Sequence, residues 1–380
     1  MSTAQRFDVS CLEAGAILSI DLNALVENWR TLQAVCGAAE CAAVVKADAY
    51  GIGLAPVVEA LRDAGCKTFF VAHVFEGRRV RGLAPESVIY VLNGLLPGSA
   101  PAYAQDGLRP VLGSLPEIEE WLQFVALWGG ARAPDGDALA AALQIDTGMN
   151  RLGLKEKDFD AAEQLTRHLN IALVLSHFVW SGQANDVKNE RQIELFSRLR
   201  AQWLDVPASM ANSAGIFLDQ TPLYDLVRPG YALYGGNPTP GRNNPMRGVV
   251  RLDAKIIQVR EVEAGESVGY EGRWTAKARR RLATINAGYA DGIPFRAMGS
   301  DRRPGAEALI HGRRCPFVGR VSMDLAVLDV TDVEHVQRGD QAELIGPTIT
   351  IDELAARAGT IGYEILTHLG QRFYRRYTTL

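Results

Sequence analysis

The chain has 380 residues, of which 47% are hydrophobic and 22% charged, with a net charge of −4 at pH 7. That length is long for one domain and comfortable for two, and the composition is ordinary for a globular enzyme. Dispersed basic residues, the lack of a membrane-length apolar stretch and five irregularly spaced cysteines argue against a nucleic-acid partner, a membrane span, a zinc site and a disulfide framework. The N-terminal stretch lacks a basic region followed by a long apolar core, so a cytoplasmic location with reduced thiols is expected.

In chain order, Ala16 to Ile20 is a short apolar segment before the first helix and a candidate to pair with a later domain. Eight candidate strands follow: Ala42 to Lys46, Thr68 to Ala72, Val88 to Leu92, Arg109 to Leu112, Ala142 to Asp146, Ala172 to His177, Ala208 to Asn212 and Tyr224 to Arg228. Helical patterns lie between most of them, such as Pro56 to Ala64, Pro116 to Phe124, Asp158 to Arg167 and Glu190 to Trp203. Both prolines stand where a helix starts, and Ala64-Gly65 and Trp128-Gly129-Gly130 read as stops. Eight strand–helix repeats predict an α/β fold, a (β/α)8 TIM-like barrel over about 16–240; a doubly wound sheet also fits the pattern. The run Asn237-Pro238-Thr239-Pro240-Gly241 marks a linker. Beyond it, over 241–380, Val249 to Val259, Leu282 to Asn286, Glu307 to His311, Pro316 to Val321, Leu325 to Val330 and Gln341 to Ile345 predict a mostly β C-terminal domain.

Polar groups sit at the C-terminal ends of these barrel strands, where barrels carry their sites. Lys46 ends the first, Arg151 follows the fifth, His177 ends the sixth, Asn212-Ser213 the seventh, and Arg228 the eighth, just before Pro229-Gly230. Any one alone reads as an ordinary satisfied group: Lys46 as a strand-end lysine reaching solvent, His177 as a core histidine on a backbone partner. Five at one rim point to chemistry. A lysine desolvated at a buried strand end loses its charge and becomes nucleophilic, as Schiff-base chemistry requires. Ser213 and Gly230 offer a hydroxyl and close backbone N–H groups to an anion such as phosphate. Arg151 or Arg228 can grip a carboxylate with two parallel hydrogen bonds. Tyr50, four residues after Lys46, can reach the same anion.

At these residues the chain resembles alanine racemase, a pyridoxal-phosphate enzyme of fold type III. The resemblance rests on Val45-Lys46-Ala47-Asp48-Ala49-Tyr50-Gly51, Asp146-Thr147-Gly148-Met149-Asn150-Arg151-Leu152-Gly153, Ala211-Asn212-Ser213-Ala214, Val227-Arg228-Pro229-Gly230-Tyr231, Ala287-Gly288-Tyr289-Ala290-Asp291-Gly292 and Gly319-Arg320-Val321-Ser322-Met323-Asp324. It implies a barrel followed by a β domain, in agreement with the residue pattern. It implies that Lys46 carries pyridoxal phosphate covalently and acts as one base, and that Tyr270 is the base on the opposite face. The residue pattern alone does not single out Tyr270. Arg228 would pair with the pyridine nitrogen, and His177 would lie near Arg228 and bond to Tyr270, lowering its pKa. Tyr50, Asn212, Ser213, Gly230 and Tyr231 would line the coenzyme site. Arg151 and the Met323 backbone would hold the carboxylate of a small amino-acid substrate, with Tyr289 at the entrance. In this family the tyrosine base and the methionine come from a partner subunit, so a homodimer with shared sites is implied.

The resemblance further implies interconversion of L- and D-alanine, supplying D-alanine for peptidoglycan. Racemases of wider or serine-preferring specificity, and fold-type III amino-acid decarboxylases, are the alternatives. The decarboxylases carry a Gly-rich phosphate loop and a cysteine–aspartate pair that are not found here, and a non-enzymatic pyridoxal-phosphate carrier of barrel type lacks a second domain. Three positions depart from the family. Gln144 stands where many relatives carry a carbamylated lysine, so an amide or a bound anion is expected to support Arg151. Asn150 replaces a glycine, which a left-handed backbone would accommodate. Gln371 stands where some relatives place a tyrosine on the phosphate.

Overall fold

The computed structural model describes residues 10–128, 139–219 and 222–378. The predicted stop at Gly129-Gly130 lies outside them. Leu25–Arg247 form one compact unit, and the segment before Leu25 joins Gly248 onward in the other.

In the first unit, seven parallel strands run in chain order: Ala43–Val44, Thr68–Val71, Val88–Val91, Arg109–Leu112, Ala140–Gln144, Asn170–Leu175 and Ala208–Ser209. The eighth, Leu226–Val227, pairs in parallel with Glu40–Cys41, just ahead of the first. On its other side Asp225 N donates to Ala208 O at 3.1 Å and Arg228 N to Ala211 O at 2.9 Å. These bonds close the ring. Strands such as Thr68–Val71 and Ala140–Gln144 are buried at every residue, which is why they read as continuous apolar runs without alternation.

Helices return the chain between strands. Leu54–Asp63 buries Leu54, Val57, Val58 and Leu61, the spacing of one helical face. Leu115–Leu127 carries Pro116 in its first turn, and Asp186 caps Val187–Leu199 by accepting from Lys188 N. The seventh strand is only two residues long, in line with its weakly apolar sequence.

The second unit is a branched β-sheet. Its main path runs Arg313–Pro316, Glu307–Ile310, Gln341–Ile345, Val250–Val262, Ala16–Asp21, Tyr374–Thr378. Val250–Val262 has 13 residues and changes register at Leu252/Asp253 and Ile256/Gln258. Those bulges let its first half pair with Ala16–Asp21 and Gln341–Ile345, and its second half with Arg280–Ile285. Arg280–Ile285 then pairs with Ala326–Asp329. The strand expected at Pro316 to Val321 lies earlier, at Arg313–Pro316. Pro316 has no N–H to continue the ladder, and Gly319 turns the chain with φ +70. No helix among the described residues is long and apolar enough to cross a membrane.

Candidate active site

The first strand stops at Val44, and Lys46 opens a separate turn rather than ending the strand. Ala47, Asp48, Ala49 and Tyr50 all have φ of 54 to 55, followed by Gly51 at φ 82. This is a left-handed turn built from four residues other than glycine, each strained by roughly 1–2 kcal/mol. The surroundings hold it. Buried Glu76 accepts Ala47 N at 2.6 Å with one oxygen, and Ala72 N and His73 N at 2.8 and 3.0 Å with the other. Asp48 accepts Leu54 N at 3.0 Å and meets Arg79 at 3.3 Å. Such strain gathers where geometry serves function. Burial, then the charges of Arg151 and Arg228, lower the Lys46 pKa below the usual lysine range, with Glu76 opposing.

Arg228 is buried at the rim. Its Nη1 donates to Ser209 Oγ at 2.5 Å, its Nη2 to Ser176 O at 2.6 Å, and Nη2 lies 3.4 Å from His177 Nδ1. No carboxylate pairs with it among the described residues. Burial pushes its pKa down to about 10, so it stays cationic at neutral pH. Burial, then Arg228, Arg151 and Lys46, push His177 down to about 3, so its imidazole is neutral. A buried cation without an anion is costly, and it favours a ligand that offers an acceptor.

Beside it, Ser213 Oγ accepts Gly230 N at 3.0 Å and Ala232 N at 3.1 Å, which draws two backbone N–H groups together. A Cβ at residue 230 would stand 2.2 Å from the Tyr50 hydroxyl, so only glycine permits this approach. Tyr50 stacks on Tyr234 with ring centroids 4.6 Å apart, and Tyr234 donates to Val44 O at 2.9 Å. Tyr231 is buried at the start of the turn Tyr231–Tyr234. Asn212 commits its side-chain oxygen to Ser181 and Gly215 N, each at 2.9 Å, which fixes the loop carrying Ser213.

Arg151 sits exposed in the loop after the fifth strand. Asp146 organises that loop by accepting Gly148 N and Met149 N at 2.9 Å and Asn150 N at 3.1 Å. Asn150 has φ 56, the left-handed conformation that suits asparagine in place of glycine. Gln144 is buried and donates to Leu152 O at 3.3 Å, so its amide supports the Arg151 loop through the backbone.

The second unit gathers the other three residues on adjoining loops. Tyr270, Tyr289 and Met323 are 69%, 44% and 54% exposed. Tyr289 N donates to Ser322 O at 3.0 Å and Ala290 N to Met323 O at 2.9 Å. Glu271, next to Tyr270, bonds Arg273 at 2.9 Å and pairs with Arg320 of the Met323 loop. Arg372 joins Asp291 at 2.6 Å to Asp324 at 2.8 Å, and Gln371 beside it is exposed.

Sequence reasoning missed Glu76, Ser176 and Ser209. A capping pattern between His73 and Glu76 was the available signal for the first; the serines leave none. The rim offers a desolvated amine, a buried guanidinium with no carboxylate partner among the described residues, and a glycine-floored cup around the Ser213 hydroxyl. Those features fit an aldehyde coenzyme bearing a phosphate and an unprotonated ring nitrogen.

The family models of the alanine racemase N-terminal and C-terminal domains match residues 20–238 and 249–377. An alanine racemase of Methylobacterium nodulans is 56% identical, covering 96% of this chain and 96% of its own. A Mesorhizobium japonicum protein named "Alanine racemase, catabolic" is 44% identical, covering 99% of this chain and 96% of its own. The crystal structure of alanine racemase from Bartonella henselae with covalently bound pyridoxal phosphate is 38% identical, with a TM-score of 0.89 over 96% of this chain and 100% of that one. With likeness of this degree running through both units, the chain belongs to the alanine racemase family.

Proposed function

We propose that this chain is a pyridoxal-phosphate-dependent alanine racemase, an isomerase that interconverts L- and D-alanine and supplies D-alanine for peptidoglycan. The observation that carries this reading is the convergence of Lys46, Arg228 and the Ser213–Gly230 cup at one barrel rim, in a chain 56% identical to a named alanine racemase. Its five free cysteines suit a reducing cytoplasm.

Lys46 would hold the coenzyme, with Tyr50, Ser213, Gly230 and Tyr231 around its phosphate, Asn212 fixing the Ser213 loop, and Arg228 on its ring nitrogen. When bound, the coenzyme supplies the electron withdrawal that acidifies the substrate's Cα–H. The rest is done by the chain. Arg151 and the Met323 backbone bind the substrate carboxylate and fix which way Cα faces, and Tyr289 lines the approach. Lys46, already biased toward the neutral amine, exchanges a proton with Cα on one face. Tyr270 exchanges a proton on the other. A free phenol titrates at about 10 and a free lysine at about 10.4, so both need help near neutrality. Arg228 cannot accept a hydrogen bond, so His177 Nδ1 is the acceptor of their contact and the imidazole proton sits on Nε2. An Nε2–H donor stabilises a phenolate, which is the form Tyr270 needs as a base. Arg228, cationic at neutral pH, would hold the ring nitrogen by donating to it without surrendering a proton, which would disfavour transamination.

The exposure of Tyr270, Tyr289 and Met323 supports a homodimer in which one subunit supplies these residues to its partner's rim. The test is expression with pyridoxal phosphate, an absorbance scan for covalently held coenzyme, and chiral analysis of L-alanine beside L-serine and L-lysine. D-alanine formation that vanishes in Lys46→Ala supports the reading. Carbon dioxide release, or serine turned over in preference to alanine, would overturn it.

A further inference from the structure

We propose that Lys155 is a positioning residue for Arg151, acting through the backbone of the loop that carries it. The proposal rests on the reading of Arg151 as the group that binds the substrate carboxylate. The loop is pinned at its base, where Leu154 N donates to Gln144 O at 2.8 Å and Asp146 N to Leu154 O at 3.1 Å. Its tip carries Arg151. Gly148 and Gly153 flank it with φ of 134 and 112, and Asn150, the residue before Arg151, is held left-handed.

The Lys155 ammonium links base to tip. It donates to Asp146 Oδ2 at 2.5 Å and also to the side-chain oxygen of Asn150. Asp146 is in turn bonded to the amides of Gly148, Met149 and Asn150. The Asp146 side chain is only 2% exposed, and among the described residues Lys155 is the one cation in ion-pair contact with it. A glycine at position 150 would offer Lys155 no side-chain acceptor. In this chain Asn150 therefore does two things: it takes the left-handed turn, and it gives Lys155 a hold on the residue adjoining Arg151. Without Lys155, Asp146 keeps its amides and Asn150 keeps its 3.3 Å bond to Gly148 O, but the tie from the Asn150 side chain to the loop's base is lost and the tip turns more freely about its two glycines. The Arg151 guanidinium then samples more positions, and the carboxylate of a substrate binds less tightly. The atoms that exchange protons at Cα are untouched.

The experiment uses the coenzyme-loaded enzyme. Lys155→Met should raise KM for alanine about tenfold, the scale of one charge-assisted hydrogen bond, while kcat changes far less. The Kd of propionate, a carboxylate with no α-proton chemistry to perform, should rise by the same factor when measured by calorimetry. Coenzyme content and visible absorbance should match the parent. Lys155→Arg should restore propionate binding, and Asn150→Gly, which keeps the turn but removes the hold, should weaken it in the same direction. Arg151→Gln separates the two levels. If it leaves propionate binding intact, the carboxylate reading of Arg151 fails. If it weakens binding while Lys155→Met and Asn150→Gly do not, the positioning role fails and the Arg151 reading stands. Loss of coenzyme and melting temperature in Lys155→Met, with normal propionate binding in Asn150→Gly, would also overturn the role.

Discussion

Arg228 Nη2 lies 3.4 Å from His177 Nδ1, a contact in which a cation that can only donate faces an imidazole that must accept. Protonating His177 would turn this contact into a repulsion. That is why Arg228 stands next to burial among the causes that hold its pKa near 3.

A dependence of stability on pH follows. The unfolded histidine titrates at about 6.5, while the folded one titrates at about 3. Between those values the unfolded chain binds more protons, so stability rises with pH. This contribution is fully present above about pH 6.5 and is lost as pH falls toward 3, at up to about 1.4 kcal/mol per pH unit. In His177→Asn, denaturant unfolding across that window should have a shallower pH slope, by about one proton. Equal slopes in the two proteins would refute this.

Tyr270→Phe tests the proposed opposite-face role. Solvent deuterium exchange at Cα should be impaired for one alanine enantiomer and retained for the other, because on the proposed assignment Lys46 still serves its own face. Unimpaired exchange from both enantiomers would remove Tyr270 from the opposite-face role.

Glu76 secures the strained turn after Lys46. Glu76→Ala would leave the Ala47, Ala72 and His73 amides without their acceptor. A stability loss of about 3 kcal/mol is expected in chemical denaturation. Relaxation of the turn should also weaken coenzyme retention in dialysis. A variant with parental stability would mean that water replaces the carboxylate at no cost.

Gly230→Ala tests the cup. The added methyl would meet the Tyr50 hydroxyl at 2.2 Å, and one of the two must move. The expected result is a coenzyme Kd raised roughly tenfold, since a displaced phosphate donor resembles the loss of one charge-assisted bond. Unchanged coenzyme affinity would show that the cup adapts.

The rim was legible because each of its residues follows an apolar run at a strand's C-terminal end. Lys46, His177 and Arg228 needed only that grammar and the rule for where barrels place their sites. The left-handed turn was not legible. Nothing in Ala47-Asp48-Ala49-Tyr50 announces positive φ, since the glycine comes only at Gly51; the turn is held by Glu76 from outside and by the Asp48 side chain reaching forward to Leu54 N. Asn150 is the contrasting case: the resemblance puts it in a glycine's place, which a left-handed backbone would accommodate, and φ 56 is what is found there. Tyr374–Thr378 escaped notice as a strand because its Arg375-Arg376 pair breaks any apolar pattern, yet it finds a ladder partner in Ala16–Asp21, some 350 residues away in the chain. Tyr270 has no local signature at all, and only the family resemblance singled it out.

The barrel closes on its own first turn where Leu226–Val227 meets Glu40–Cys41 over two residues, supplemented by Ala42 N on Val227 O and Val44 N on Pro229 O. That same stretch runs directly into Arg228 and Gly230. Whatever is clasped there also works as a buckle for the hoop, so emptying the mouth should slacken this joint. Hydrogen exchange at the Ala42 and Val44 amides would register the slackening while the strands on the far side stay protected.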